Sequence, residues 1–183
     1  MKPLSVLGIS GSLRAHSYNT GLLRAAIEST PEGMAIHSFD LSTIPLFNQD
    51  FEKMPPESVR LFKEQILTAD GILIATPEYN YSVPGVLKNA IDWASRPYAV
   101  NAWNGKPLAV MGAGGVAGTV RAQMHLRQVA VNTNMRVMNR PEIAIQRASE
   151  KFNAEGALTD EPTRDYLKKF LAAFAEWIRS MNP

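Results

Sequence analysis

The segment Gly71-Ile72-Leu73-Ile74-Ala75-Thr76 carries no polar side chain before its last position. An apolar run of strand length has no solvent face. It suits a strand covered on both sides, as inside a parallel sheet with helices above and below. Strand-like segments also stand at residues 4–10, 34–40 and 107–111, and a shorter one at 136–138 resumes at 142–145 beyond Pro141. Segments of helical period lie between them at 18–30, 57–68, 84–95 and 119–132. A last one, at 163–181, puts Tyr166, Phe170, Phe174, Trp177 and Ile178 on one face. Strands alternating with helices predict an α/β domain. We expect one domain over residues 1–183, a doubly wound parallel sheet of about five strands in the order 2-1-3-4-5, with helices on both faces.

That order fixes where a ligand goes. In open sheets of this kind it lies outside the carboxyl ends of the strands, where the winding reverses between strands one and three. Three loops are therefore expected to meet there, at residues 10–19, 77–83 and 112–118.

The first reads Ser10-Gly11-Ser12-Leu13-Arg14-Ala15-His16-Ser17-Tyr18-Asn19-Thr20. It joins a strand to a helix, and the first amides of a helix have no partners within it and sit at the positive end of its dipole. Ser10, Ser12, Ser17 and Thr20 add hydroxyls, and Arg14 adds a charged fork of donors that fits a phosphate. Asn19 suits either a cap or a donor to the anion. The loop has neither the Lys-Ser/Thr pair of a nucleoside-triphosphate P-loop nor a Gly-x-Gly-x-x-Gly fingerprint, so a compact phosphate is the expected ligand. A Ser-rich loop that only caps its helix has the same composition.

The second loop, Thr76-Pro77-Glu78-Tyr79-Asn80-Tyr81-Ser82-Val83-Pro84-Gly85, is stiffened by two prolines, and its tyrosines and Asn80 suit the face and edge of a heterocycle. A rigid turn whose tyrosines pack on the domain is the alternative. The third, Gly112-Ala113-Gly114-Gly115-Val116-Ala117-Gly118, is nearly bare of side chains and lets backbone approach something flat.

Composition closes other routes. A net charge of +2 among 183 residues does not support a nucleic-acid surface. The chain has no cysteine, which excludes disulfides, thiol catalysis and Cys-ligated metals and is compatible with a reducing cytoplasm. No apolar run approaches the roughly 20 residues of a membrane span. Met1-Lys2-Pro3 leads directly into the first strand, so no signal peptide is expected. His16, His37 and His125 are too scattered for a triad or a metal site, and no metal is expected. Strand one ends in Ser10-Gly11-Ser12 rather than a carboxylate, which excludes a phosphoacceptor domain of this topology.

Two blocks carry a resemblance: Gly11-Ser12-Leu13-Arg14-x-x-Ser17-x-Asn19, and Pro77-Glu78-Tyr79-Asn80-Tyr81-Ser82-Val83-Pro84-Gly85-x-Leu87-Lys88-Asn89-Ala90-Ile91-Asp92-Trp93. Together with Arg121-x-Gln123-x-His125-Leu126-Arg127-Gln128 they resemble the NADPH-dependent FMN reductase family, in its branch of bacterial quinone and chromate reductases. The resemblance implies a flavodoxin-like fold, bound FMN, NADPH or NADH as electron donor, a cytoplasmic homodimer or homotetramer, and a small acceptor such as a quinone. By that resemblance Ser12, Arg14, Ser17 and Asn19 hold the FMN phosphate, with Ser10, Leu13, Tyr18 and Thr20 in the same cofactor-binding loop. Pro77, Glu78, Tyr79 and Asn80 run along the isoalloxazine. Gly112, Ala113 and Gly114 lack the serine that related proteins often carry there, so contacts from them must come from backbone. The implied reaction is ping-pong: hydride passes from NAD(P)H to flavin N5, then electrons pass to the acceptor, with no catalytic side chain. Glu78 is expected to act through its backbone rather than as a general acid. A flavodoxin-type electron carrier without NAD(P)H turnover is the rival reading. Tyr98 and Trp103, on the connector 97–105, are expected either to meet a neighbouring subunit or to pack on their own domain.

Overall fold

The computed structural model describes residues 2–181. The strands are β1 (Leu4–Ser10), β2 (Met34–Phe39), β3 (Gly71–Ala75), β4 (Pro107–Ala113), β5 (Arg136–Val137) and β6 (Ile143–Ile145). The helices are α1 (Tyr18–Glu28), α2 (Glu57–Thr68), α3 (Gly85–Ala94), α4 (Val120–Thr133) and α5 (Glu161–Met181). All strand pairs are parallel, in the order β2-β1-β3-β4-β5, and β6 also pairs with β4. This is the doubly wound, flavodoxin-like order expected from the sequence.

The apolar run at 71–76 divides its side chains between two cores. Leu73 and Ala75 face one with α1 and α5, where Leu22, Phe170 and Phe174 lie; Ile72 and Ile74 face the other with α2 and α3, where Phe62, Leu87 and Trp93 lie. Each face of β3 thus removes large aliphatic groups from water, and the strand has no position where a polar residue would be free of cost.

Two boundaries, those of β4 and α5, differ from the sequence expectation, while the fifth strand is interrupted where the sequence predicts. β4 continues through Gly112 and Ala113, which the sequence assigns to a turn, because β6 pairs with them at Met111↔Ile143, Gly112↔Ala144 and Ala113↔Ile145. The fifth sheet position is split: β5 pairs with the start of β4 and β6 with its end, on either side of a segment containing Pro141, which lacks the N–H a continuous ladder needs. α5 begins two residues before the expected start, with Asp160 Oδ2 accepting from the Thr163 amide and Pro162 in the first turn, where proline is tolerated.

Trp103 is 0% exposed; its indole N–H donates to the Ile91 carbonyl at 3.1 Å and its ring meets Phe62 edge-on. It packs on its own domain and is not available to another subunit. Tyr98 is 77% exposed, with the Arg96 guanidinium 3.9 Å from its ring centroid. Among the described residues no helix is long and apolar enough to cross a membrane, and no three His, Asp or Glu side chains gather as metal ligands.

Candidate functional site

At the carboxyl end of β1 the chain turns into α1 through a loop that its own hydroxyls build. Ser17 is the N-cap of α1, and its Oγ accepts from the amides of Asn19 at 3.2 Å and Thr20 at 3.4 Å. Ser12 Oγ accepts from the Arg14 amide, Ser10 Oγ accepts from the Ser12 amide, and Ser10 and Thr20 share a hydroxyl bond of 2.8 Å. Ser10 and Thr20 therefore brace the loop. Ser12 and Ser17 accept from backbone and keep their own protons to donate outward. The amides of Leu13, Ala15 and His16 meet no acceptor among the described residues, and the Arg14 guanidinium has no partner there either.

Asn19 does something else. It is 3% exposed, its Nδ2 donates to the Ala113 carbonyl at 2.9 Å, and its Oδ1 accepts from the Ala113 amide at 2.9 Å. The side chain clasps the end of β4 to the first turn of α1. The sequence offers it as a cap or phosphate donor; one Nδ2 proton goes to Ala113, and the residue also lines the cleft with its second Nδ2 proton unpartnered among the described residues.

The loop after β3 is a tight hairpin. Tyr79 and Ser82 exchange backbone bonds of 3.1 and 3.0 Å around Asn80 and Tyr81, both left-handed at φ 50° and 64°. Two positive φ values are what a two-residue hairpin of the inverted type requires, and asparagine tolerates them far better than tyrosine. The Tyr81 ring lies 3.9 Å from the Arg121 guanidinium, and Ser82 Oγ meets His125 Nδ1 at 2.9 Å, so the tip rests on the first turns of α4.

Glu78 completes that attachment. Its carboxylate accepts from the Arg121 amide at 2.9 Å, the Ala122 amide at 3.2 Å and the Arg121 guanidinium at 2.7 Å. These are the orphan amides and positive dipole end of a helix, met by an anion. Burial by itself would raise the Glu78 carboxyl; the Arg121 and Ala122 bonds outweigh it and hold the group below its ordinary value. The side chain is thus a fixed anion and no general acid. A folded value below the unfolded one stabilises the protein at neutral pH, and that contribution fades as pH falls through the folded value. Glu78→Gln is therefore expected to lower stability at pH 7 by about 1–2 kcal/mol. The gap to the parent protein should close as the pH drops below about 4. Urea unfolding at both pH values checks this; a gap independent of pH would mean the charge is irrelevant.

Two glycines at the end of β4 and just beyond it have no room for a side chain. A Cβ on Gly112 would stand 1.9 Å from Thr119 Oγ1, and one on Gly114 would stand 2.3 Å from the Gly118 carbonyl oxygen, whereas one on Gly115 would meet nothing within 4 Å. The loop after β4 is stitched outward to the turn after β6: the Gly114 amide donates to Ile145, Arg147 to Gly115 and Ala148 to Gly114.

These loops surround a cleft of about 530 Å³, within the usual range for small-molecule sites. Arg14, Ser17, Tyr18 and Asn19 line one end; Pro77, Glu78, Tyr79 and Arg121 line one wall, and residues 113–118 with Arg147, Ala148 and Ser149 line the other. Of the residues singled out in the sequence, Ser10, Ser12, Leu13, Thr20, Asn80 and Gly112 lie outside the lining. Arg121 and the turn 147–149 are additions. The turn carries no motif, but it follows the segment 142–145 at the same sheet edge as the other loops, and the strand-end rule extended to that segment finds it.

The family model described as NADPH-dependent FMN reductase matches residues 4–150. An NAD(P)H-dependent FMN reductase of Pseudomonas aeruginosa is 49% identical over 98% of this chain and 97% of its own. A 2-hydroxy-1,4-benzoquinone reductase of a Burkholderia species is 44% identical over 96% and 97%. Among solved structures, the flavoenzyme NAD(P)H:(acceptor) oxidoreductase FerB of Paracoccus denitrificans superimposes with a TM-score of 0.89 at 39% identity, covering 97% of this chain and 98% of that one.

Proposed function

The chain belongs to the NADPH-dependent FMN reductase family, and on that premise we propose that its cleft holds FMN with the phosphate in the β1–α1 loop and the ring between the β3 and β4 loops. It is an FMN-dependent NAD(P)H oxidoreductase. The donor set fits the cofactor on its own chemistry. In the loop at the N-terminus of α1 the Arg14 guanidinium, the amides of Leu13, Ala15 and His16 and the hydroxyl protons of Ser12 and Ser17 have no partner among the described residues, a donor set that suits a phosphate monoester. Beyond them, Pro77 and Tyr79 face a wall whose Gly115 position has no atom within 4 Å of an added Cβ, as a flat ring requires.

Bound FMN supplies the redox chemistry, accepting hydride from NAD(P)H and passing electrons to a second substrate. The residues position it. Ser12, Arg14 and Ser17 fix the phosphate, while the Asn19 clasp and the Glu78 cap set the distance between the two ring walls. No side chain is assigned a proton to move. A quinone is the acceptor class we propose, in keeping with the benzoquinone-reductase relative; metal oxyanions such as chromate belong to the same proposal as secondary acceptors. A carrier without NAD(P)H turnover is not favoured, since the relatives are reductases. We place the protein in the cytoplasm as a homodimer or homotetramer, a reading supported by the absence of cysteine and by the exposed Tyr98.

The unpaired Arg14 guanidinium at the cleft is the observation that carries the assignment. Arg14→Ala is expected to weaken FMN binding about 10- to 100-fold, the value of one charge-assisted bidentate contact, and to leave riboflavin binding within about twofold. Fluorescence titration of the apoprotein with both flavins checks it. Equal losses for FMN and riboflavin would remove the phosphate from this loop.

A further inference from the structure

Arg147 is the feature of the cleft that the family motifs leave unexplained. Its backbone is left-handed, φ 48° and ψ 51°, a conformation glycine takes freely and arginine does not. The turn is held there by backbone: the Arg147 amide donates to Gly115 at 3.0 Å and the Ala148 amide to Gly114 at 2.9 Å. Arg147 lines the cleft at an exposed position, and its guanidinium, like that of Arg14, has no hydrogen-bond or carboxylate partner among the described residues. Arg121, the third cleft guanidinium, is committed to Glu78. Two uncompensated cations thus share one cleft with no acid aimed at either.

The chain that follows the turn packs against the phosphate loop. Ala148 is buried in the same core as Phe152, whose ring lies 5.2 Å from that of Tyr18, the first residue of α1. Further on, a Cβ on Gly156 would lie 3.0 Å from the His16 backbone, inside the loop that carries Arg14. The segment bearing Arg147 is therefore packed against the phosphate loop at two points and stitched to the β4 loop at a third.

We propose that Arg147 is a second cation for the FMN 5′-phosphate, acting together with Arg14; this rests on the FMN reading above. A phosphate monoester carries nearly two negative charges at neutral pH, and its oxygens can serve two guanidinium forks at once. Arg14 supplies one charge and Arg147 the other. The turn after β6 fixes the backbone from which the second fork reaches, while the exposed, unpartnered side chain itself is ordered when the phosphate binds.

The test uses the full-length apoprotein with Arg147→Ala and Arg147→Gly, the second variant removing the guanidinium while suiting the left-handed backbone. FMN and riboflavin are titrated by fluorescence, with steady-state KM for NADPH and NADH measured at saturating FMN. The expected result is a tenfold or greater loss of FMN affinity in both variants, riboflavin affinity within twofold of the parent, and unchanged KM for either nucleotide. An FMN affinity within twofold of the parent in Arg147→Gly overturns the proposal. So does a rise in KM for NADPH but not NADH, which assigns the guanidinium to the nucleotide's 2′-phosphate instead. A parent protein that binds riboflavin as tightly as FMN overturns the FMN phosphate reading itself, and Arg14→Ala identifies that case by showing no selective loss either.

Discussion

Asn19→Leu is expected to cost about 3–5 kcal/mol of stability, although leucine nearly matches asparagine in size. The side chain is buried and holds both the amide and the carbonyl of Ala113, each at 2.9 Å. Leucine leaves both backbone groups in an apolar setting with no water to replace the lost partner, at about 1–3 kcal/mol each. The apolar gain of the leucine itself is too small to offset two orphaned groups. Because Ala113 opens the third loop, FMN affinity should fall as well, with no charge removed. Urea unfolding and flavin titration report the two effects. A variant with parental midpoint and parental affinity would show that the clasp holds nothing.

Gly21→Val should be nearly as damaging. A Cβ at Gly21 would sit 1.7 Å from the Gly156 carbonyl oxygen. That obstacle is backbone, so no rotamer relieves it, and α1 or the 152–156 segment must move. Valine is a slightly better helix former than glycine, worth a few tenths of a kcal/mol. Overpacking costs about 1–3 kcal/mol and here belongs at the top of that range or above it. A loss of about 3 kcal/mol is expected in urea unfolding. FMN affinity should drop beyond what stability alone accounts for, since the displaced segment backs the phosphate loop. A loss under about 0.5 kcal/mol would show that the packing at this point is loose.

The sheet order was legible because parallel strands are buried on both faces. The run at 71–76 announced this, and Leu73 and Ile74 indeed face opposite cores. The three loops followed from the order alone. What the sequence hid were partnerships across long separations. Nothing local tells that Asn19 bonds to Ala113 rather than to a ligand, or that Glu78 caps a helix more than 40 residues later. Propensity describes a residue and its near neighbours, whereas these roles are set by which chain end a strand order brings alongside. Trp103 illustrates the same limit: its place on a connector leaves open a neighbouring subunit or its own domain, and the structure shows it filling the space between α2 and α3. Arg147 was missed because its turn follows the split fifth strand, whose second half pairs with β4 only at its far end.

The Asn19–Ala113 clasp also has a bearing on synthesis. Its two halves are separated by 94 residues, and the segment that backs the loop reaches to Gly156. The anion-binding residues are translated before the residues that form their outer wall. On a ribosome, the β1–α1 loop can form its own serine bonds first, but the clasp and the Gly156 contact must wait until residues 113 and 156 have emerged. A chain broken off before residue 156 therefore keeps the motif while lacking the packing that shapes it.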